Sequence, residues 1–370
     1  MAAGMVVLLY ARAGLLLLAL VCVGLWVAAV AVAGAALRRT EPAAPDVAAP
    51  RAVHPFLVMN PRSGGGKVVE HDLAGRARAL GAEVVLLDGG RHVDVAALAR
   101  QAVRSGSDLL GVAGGDGTQA AVARVAVEQD VPFMVVAAGT RNHFAMDLGL
   151  DRSHPAEGLA ALTGGVEVRV DVGWAGERMF VNNASFGAYA AVVQSPGYRD
   201  DKTATALNVL PDLLTGQRGP GLRLRSAGAD VAGAQAILVS NNPYATTDVA
   251  GLGRRERLDG GVLGVLAVTV SSAADAARLV RGSRSGRLTR ATADEVVIEA
   301  EEASIPAGID GESVRLPTPV RCRVQPGALR VRVPRLGPAR RPRPPLDWRR
   351  LWRLAFASDR NLRPRSAARE

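Results

Sequence analysis

The chain is poor in cysteine: Cys22 and Cys322 are its only two in 370 residues. No disulfide framework and no cysteine-based zinc site can be built from so few, and a reducing compartment is the simpler expectation. Lysine is nearly missing too, since Lys67 and Lys202 are the only lysines among 45 basic residues. With so much alanine and glycine this looks like a coding bias, and a single arginine carries little functional information. Aromatic residues make up 4% and charged residues 22%, yet 48% of the chain is hydrophobic. That is too apolar for a disordered chain, and the length is enough for roughly two cored domains. The net charge of +10 is also unevenly placed: residues 334–370 hold eleven arginines against three acidic residues. The body is nearly balanced, and no nucleic-acid partner is expected.

An uncharged run between Arg12 and Arg38 covers residues 13–37. As a helix of about 1.5 Å per residue it is long enough to cross a hydrocarbon core of about 30 Å, so a single transmembrane helix is expected. Residues 40–53 are rich in proline and alanine and read as a linker. Residues 334–370 form a basic Pro/Arg tail. Within it Trp348, Leu351, Trp352 and Ala355 share a helical face, a pattern suited to an anionic membrane surface or to docking on the protein itself.

Residues 54–165 alternate short apolar runs at 54–60, 83–87, 108–112 and 132–137 with alanine-rich helical stretches. This pattern predicts an α/β domain with a parallel sheet, whose ligands gather at the carboxyl ends of the strands. Three loops fall there. The first is Asn60-Pro61-Arg62-Ser63-Gly64-Gly65-Gly66-Lys67, which is not a Walker A loop because Pro61 stands at its first glycine position and no Ser or Thr follows the lysine. The second is Gly114-Gly115-Asp116-Gly117-Thr118, where glycines admit a nucleotide to the backbone and Asp116 offers a carboxylate to Mg²⁺ or its waters. The third is Gly139-Thr140-Arg141-Asn142-His143. Together they predict a nucleotide site.

The combination of these motifs resembles the diacylglycerol kinase catalytic-domain family, in particular its bacterial lipid-kinase branch, related to sphingosine kinases and more distantly to NAD kinases. The resemblance covers roughly residues 54–333. It implies that Asn60, Pro61, Arg62, Ser63 and Gly64, then Gly115, Asp116, Gly117 and Thr118, and finally Thr140 contact ATP. One departure stands out: His143 occupies the place where the family commonly has Asp, and Asp147, one helical turn on, is either a replacement or an ordinary surface residue.

Residues 166–333 read as a predominantly antiparallel β domain that would cover a lipid and carry the catalytic groups. The stretch Phe180 to Gly187 matches a family pattern around a strand end. The loop at Asp259-Gly260-Gly261 is similar to a family loop in which Mg²⁺ is held by an Asp and backbone oxygens, although Asp-Gly is also a common hairpin turn. In Asp310-Gly311-Glu312 both carboxylates are catalytic candidates: Glu312 matches the family's proton acceptor, and Asp310, its neighbour in the motif, is the alternative for that role.

The function expected from these features is transfer of the ATP γ-phosphate to a lipid hydroxyl, with diacylglycerol giving phosphatidic acid, Mg²⁺ assisting, and the enzyme body on the cytoplasmic side of a cell membrane. A homodimer is left open. An NAD kinase-like phosphotransferase and an inactive lipid- or nucleotide-binding sensor are the alternatives.

Overall fold

A computed structural model of the chain describes Val21 and residues 24–26, 47–87, 93–194, 221–245, 254–269 and 288–335. The contacts separate a body, Asp46–Pro342, from a unit made of Met1–Pro45 and Arg343–Glu370. Among the described residues no helix is long and apolar enough to cross a membrane. Most of residues 13–37, and all of the amphipathic segment at 347–356, lie outside the described residues. The expectation of a single-pass membrane protein is corrected accordingly. Hydropathy measures the transfer of side chains, whereas a span also requires one long continuous helix.

In the body, β2 (Pro55–Met59), β3 (Glu83–Leu86), β4 (Leu109–Ala113) and β5 (Phe133–Val136) lie parallel in the order β3-β2-β4-β5. Every residue of β2, β4 and β5 is buried, as expected of strands covered on both faces. Side-chain alternation divides them between two cores. Phe56, Val58, Leu110 and Val112 face α3 (Val95–Arg104) and α4 (Asp116–Glu128). Leu57, Met59, Leu109 and Ala113 face α2 (Leu73–Ala79), which follows the short α1 (Lys67–Glu70). Asp72 and Asp94 cap α2 and α3 by accepting hydrogen bonds from Gly75 N and Ala97 N.

The sheet continues through a long antiparallel ribbon of β6 (Gly165–Ala175) and β17 (Val320–Pro334), the latter pairing in parallel with β5 at Val331 and Phe133. Register shifts between Gln325 and Leu329, around Gly327 with its φ of 58°. On one side of this break Leu329, Val331 and Val333 join the α/β core; on the other Val320 and Cys322 join a second core. One strand therefore couples both halves of the body.

Beyond β17 the sheet adds β14 (Glu295–Glu299), β9 (Leu222–Ser226) and β10 (Ala229–Ala234). Against these packs a second, wholly antiparallel sheet in the order β13-β12-β11-β8-β15-β16. Its strands are β8 (Asn183–Gly187), β11 (Ala236–Asn241), β12 (Leu263–Val268), β13 (Leu288–Ala293), β15 (Ser304–Ile309) and β16 (Glu312–Pro317). Phe186, Ile237, Val239 and Leu263 meet Leu224, Val296 and Ile298 in the core between the sheets. An α/β domain followed by an antiparallel one is thus observed. The expected linker differs at its end: β1 (Val47–Ala49) pairs with the edge of β6, and the N–H groups of Val53 and His54 donate to the Asp108 carboxylate. An exposed β6 edge supplies the pairing partners that proline and alanine content does not reveal.

Candidate active site

The three glycine-containing loops close on one another at the carboxyl ends of β2, β4 and β5. After β2, Asn60 N donates to Ala113 O at 2.8 Å, and the Asn60 side chain accepts from Arg62 N at 3.0 Å. The chain then passes through Gly64, Gly65 and Gly66, all at positive φ. At Gly64 glycine is required twice over, because an added Cβ would also strike the carbonyl oxygen of Ala138 at the third loop.

Asn142, which opens α5 (His143–Asp147), joins the third loop to the second. Its Oδ1 accepts from Gly139 N, while its Nδ2 donates to Gly114 O at 2.8 Å. Gln119 Nε2 donates to the same carbonyl at 3.0 Å. With these bonds made, Gly115 faces open space: a Cβ built on it meets no atom within 4 Å. Asp116, Gly117 and Thr118 follow as the first turn of α4, whose N–H groups lack helical partners and whose dipole favours an anion. Thr140 is exposed on the third loop. Lys67, by contrast, donates from Nζ to Arg152 O at 2.6 Å.

Asp310 and Gly311 form the two-residue connection between β15 and β16, both at positive φ (48° and 85°), as a type I′ turn requires. The two carboxylates of this segment are placed differently. Asp310 is buried, and its oxygens accept from Val181 N, Asn182 N and Asn183 N at 2.8, 2.8 and 3.0 Å. Burial pushes its carboxyl up to about 7 against the pull of those three N–H groups, and the negative charge of Asp116 adds to the rise. Glu312 is exposed, and its carboxylate oxygen lies where a Cβ on Gly117 would sit. The loop expected to bind phosphate and the glutamate expected to accept a proton are therefore in contact.

The turn held by Asp310 is gripped from its other side by Arg255, which is 2% exposed. Arg255 donates to Val181 O at 2.6 Å, Asn241 O at 2.9 Å and Asn182 Oδ1 at 2.9 Å, and pairs with Asp147 at 2.7 Å. Asp147 is thus neither a surface residue nor a replacement for the family Asp at position 143: it is the buried counterion that ties α5 to the β half. Burial raises its carboxyl, with Arg255 opposing. The Arg-rich composition of the chain hid Arg255 from sequence reading.

Asp259 lies on an exposed loop and pairs with Arg257 at 2.9 Å. Its neighbour Gly261, at φ 67°, donates its N–H to Asp171 Oδ2 at 2.6 Å. Asp171 organises this loop, accepting also from Gly327 N at 2.8 Å and Asn242 Nδ2 at 3.0 Å. An acid set among valines in an apolar strand was the available signal for it. Among the described residues no group of three or more His, Cys, Asp or Glu side chains gathers to hold a metal ion.

Residues 54–175 match the family described as Diacylglycerol kinase catalytic domain. Over that third of its length the chain is similar to this family. Diacylglycerol kinases from two strains of Mycobacterium tuberculosis are 32% identical to it over 118 residues, which are 31% of this chain and 38% of each relative. The chain thus matches less than half the length of these curated relatives. The fold extends the likeness. A crystal structure of a diacylglycerol kinase from Bacillus anthracis str. Sterne superposes with a TM-score of 0.57 at 17% identity, covering 79% of this chain and 99% of that one. A second structure from that organism gives 0.60 at 18% identity with the same coverage.

Proposed function

We propose that the protein is an ATP-dependent lipid kinase that phosphorylates diacylglycerol to phosphatidic acid. The observation that carries this reading is the contact between Glu312 and Gly117. A hydroxyl attacking the γ-phosphate needs a carboxylate within reach of its proton, beside donors that hold the phosphates. In this reading Asn60, Pro61, Arg62, Ser63, Gly64, the segment Gly115 to Thr118, and Thr140 hold ATP, with the open face of Gly115 admitting the phosphates. Glu312 takes the proton of the acceptor hydroxyl. Asp310 acts as a positioning residue: it fixes the turn that presents Glu312.

Mg²⁺ fits the donor set on one ground. Asp116 begins the phosphate loop's helix and is near enough to Asp310 to raise its carboxyl, and an added cation relieves such like-charge crowding. With no larger cluster of ligating side chains among the described residues, Asp116 would share the ion with phosphate oxygens and water, as is usual for this metal. The ion would offset charge on the transferred phosphoryl group.

The test is incubation of purified protein with γ-labelled ATP and a panel of acceptors: dioleoylglycerol, sphingosine, a polyprenol and NAD. Label in phosphatidic acid is the expected product. Label in NADP alone favours the NAD kinase-like alternative, and no transfer to any acceptor, with ATP still bound, favours the sensor.

A further inference from the structure

Glu312 is exposed, so the turn it follows sets its place more than its own packing does. That turn hangs from one short strap. Val181 and Asn182, between β7 (Arg178–Phe180) and β8, together with Asn183 aim three successive N–H groups at the Asp310 carboxylate. Asp310 N donates in return to Asn183 O at 2.9 Å. Strap and turn are thus bonded into one piece, and the seat of the strap decides how far Glu312 lies from Gly117.

Behind the strap the interior is polar where a core is ordinarily apolar: Asn182, Asn241 and Arg255 are all buried. Arg255 Nη1 donates to Val181 O and its Nη2 to Asn182 Oδ1, while Asn241 N donates to Asn182 O at 2.9 Å. A second grip acts one residue further on. Asn183 Nδ2 donates to Tyr244 Oη at 2.9 Å, and the Tyr244 ring centre lies 5.9 Å from the Arg255 guanidinium carbon. Stability alone does not call for this arrangement. Desolvating a guanidinium offsets much of what its ion pair returns, and apolar side chains of similar volume often fill such a space at no loss. What hydrogen bonds add is direction, since each fixes the distance and angle of one strap atom. A catalytic group needs that, because it must be held within about 0.5 Å of its productive place. The Arg255 Nε pairs with Asp147, the last residue of α5, so the strap is referenced to the helix that follows the third loop as well as to the β half.

We infer that Asn182, Arg255 and Tyr244 are positioning residues for the transfer step: acting through the strap at 181–183, they hold Glu312 at its place beside the phosphate loop. The inference rests on the lipid-kinase reading above, which gives Glu312 its role, and adds to it three side chains set behind the turn.

The experiment uses purified protein, γ-labelled ATP and dioleoylglycerol in detergent micelles, with folding followed by thermal melting and kcat read well below the melting temperature. Asn182→Leu keeps the size of the side chain but removes the acceptor of Arg255 Nη2. Its kcat should fall by about tenfold while the KM for ATP stays within about twofold. Tyr244→Phe removes a single oxygen and should lower kcat by about threefold or more; it carries the test if the first variant does not fold. Each substitution is then combined with Glu312→Gln. In that background it should change kcat by less than about twofold, since residues that act only through Glu312 have no base left to position. Normal kcat in the folded variants overturns the inference while leaving the kinase reading intact. Losses that repeat in full in the Glu312→Gln background overturn it as well, because they mark a structural role independent of Glu312. A wild type that transfers no label to dioleoylglycerol overturns the kinase reading, and the positioning with it.

Discussion

The Glu312 carboxylate occupies the space that a methyl group on Gly117 would take. Two segments separated by almost two hundred residues meet at this point, one from the first turn of α4 and one from the first residue of β16. Glycine at 117 is thus explained by contact rather than by backbone freedom, since the residue lies within a helix.

Gly117→Ala separates these effects. Alanine favours a helix over glycine by up to about 1 kcal/mol, so the melting temperature should hold or rise. The added methyl displaces Glu312, and kcat should fall by roughly 10–100-fold, as expected when a positioned base is moved. A joint measurement of melting temperature and kcat checks this; unchanged kcat would mean that the contact has no part in catalysis.

Gly115→Val probes the phosphate loop. The backbone at 115 has φ −74° and ψ 170°, an extended conformation open to any residue, and its Cβ position is empty. The variant should fold normally while its branched side chain fills the approach to the backbone, raising the KM for ATP or abolishing activity. Wild-type ATP kinetics in this variant would remove the loop from the site.

Arg255→Met should destabilise the body by about 3–5 kcal/mol, because it leaves Asp147 buried without its counterion. Arg255→Lys should recover only part of the loss, since one ammonium group cannot reach Asp147, Val181, Asn182 and Asn241 together. Urea denaturation of both variants measures the difference.

Stability should also carry a pH signature from Asp310. Its carboxyl lies near 7 when folded, against an ordinary value of 3.8. A carboxyl raised by folding contributes stability that is complete below the unfolded value and is lost as pH climbs through the folded one. Unfolding free energy should therefore fall between roughly pH 4 and 8. Asp310→Asn should flatten this slope and cost roughly 1–3 kcal/mol, because its amide cannot accept from Val181 N as the carboxylate does. Denaturation across that range in both proteins provides the check, and parallel slopes would count against the account.

Much of this was legible in the sequence, for identifiable reasons. The apolar runs at 54–60, 108–112 and 132–137 became strands within a residue or two because strands buried on both faces need continuous apolar side chains. In the loops after them, Gly64 to Gly66 and Asn142 mark positive-φ positions, whereas Gly115 and Gly117 mark open space and the close approach of Glu312. What escaped notice depends on pairing across the chain. β9, β10 and β13 alternate apolar residues with Arg, Thr or Asp and are recognisable mainly by their neighbours in the sheet. The partnership of Asp147 with Arg255, 108 positions away, has no local signal at all.

The most direct test of the account is the kinetics of Glu312→Gln with dioleoylglycerol as acceptor. Glutamine keeps the size of the side chain beside Gly117 but cannot take up a proton. The account predicts a loss of kcat of roughly 10²–10⁴-fold, with the KM for ATP and the melting temperature essentially unchanged. A variant that retains near-normal kcat while still binding ATP would contradict it, and would leave the hairpin at Asp310-Gly311 as a turn without a catalytic partner.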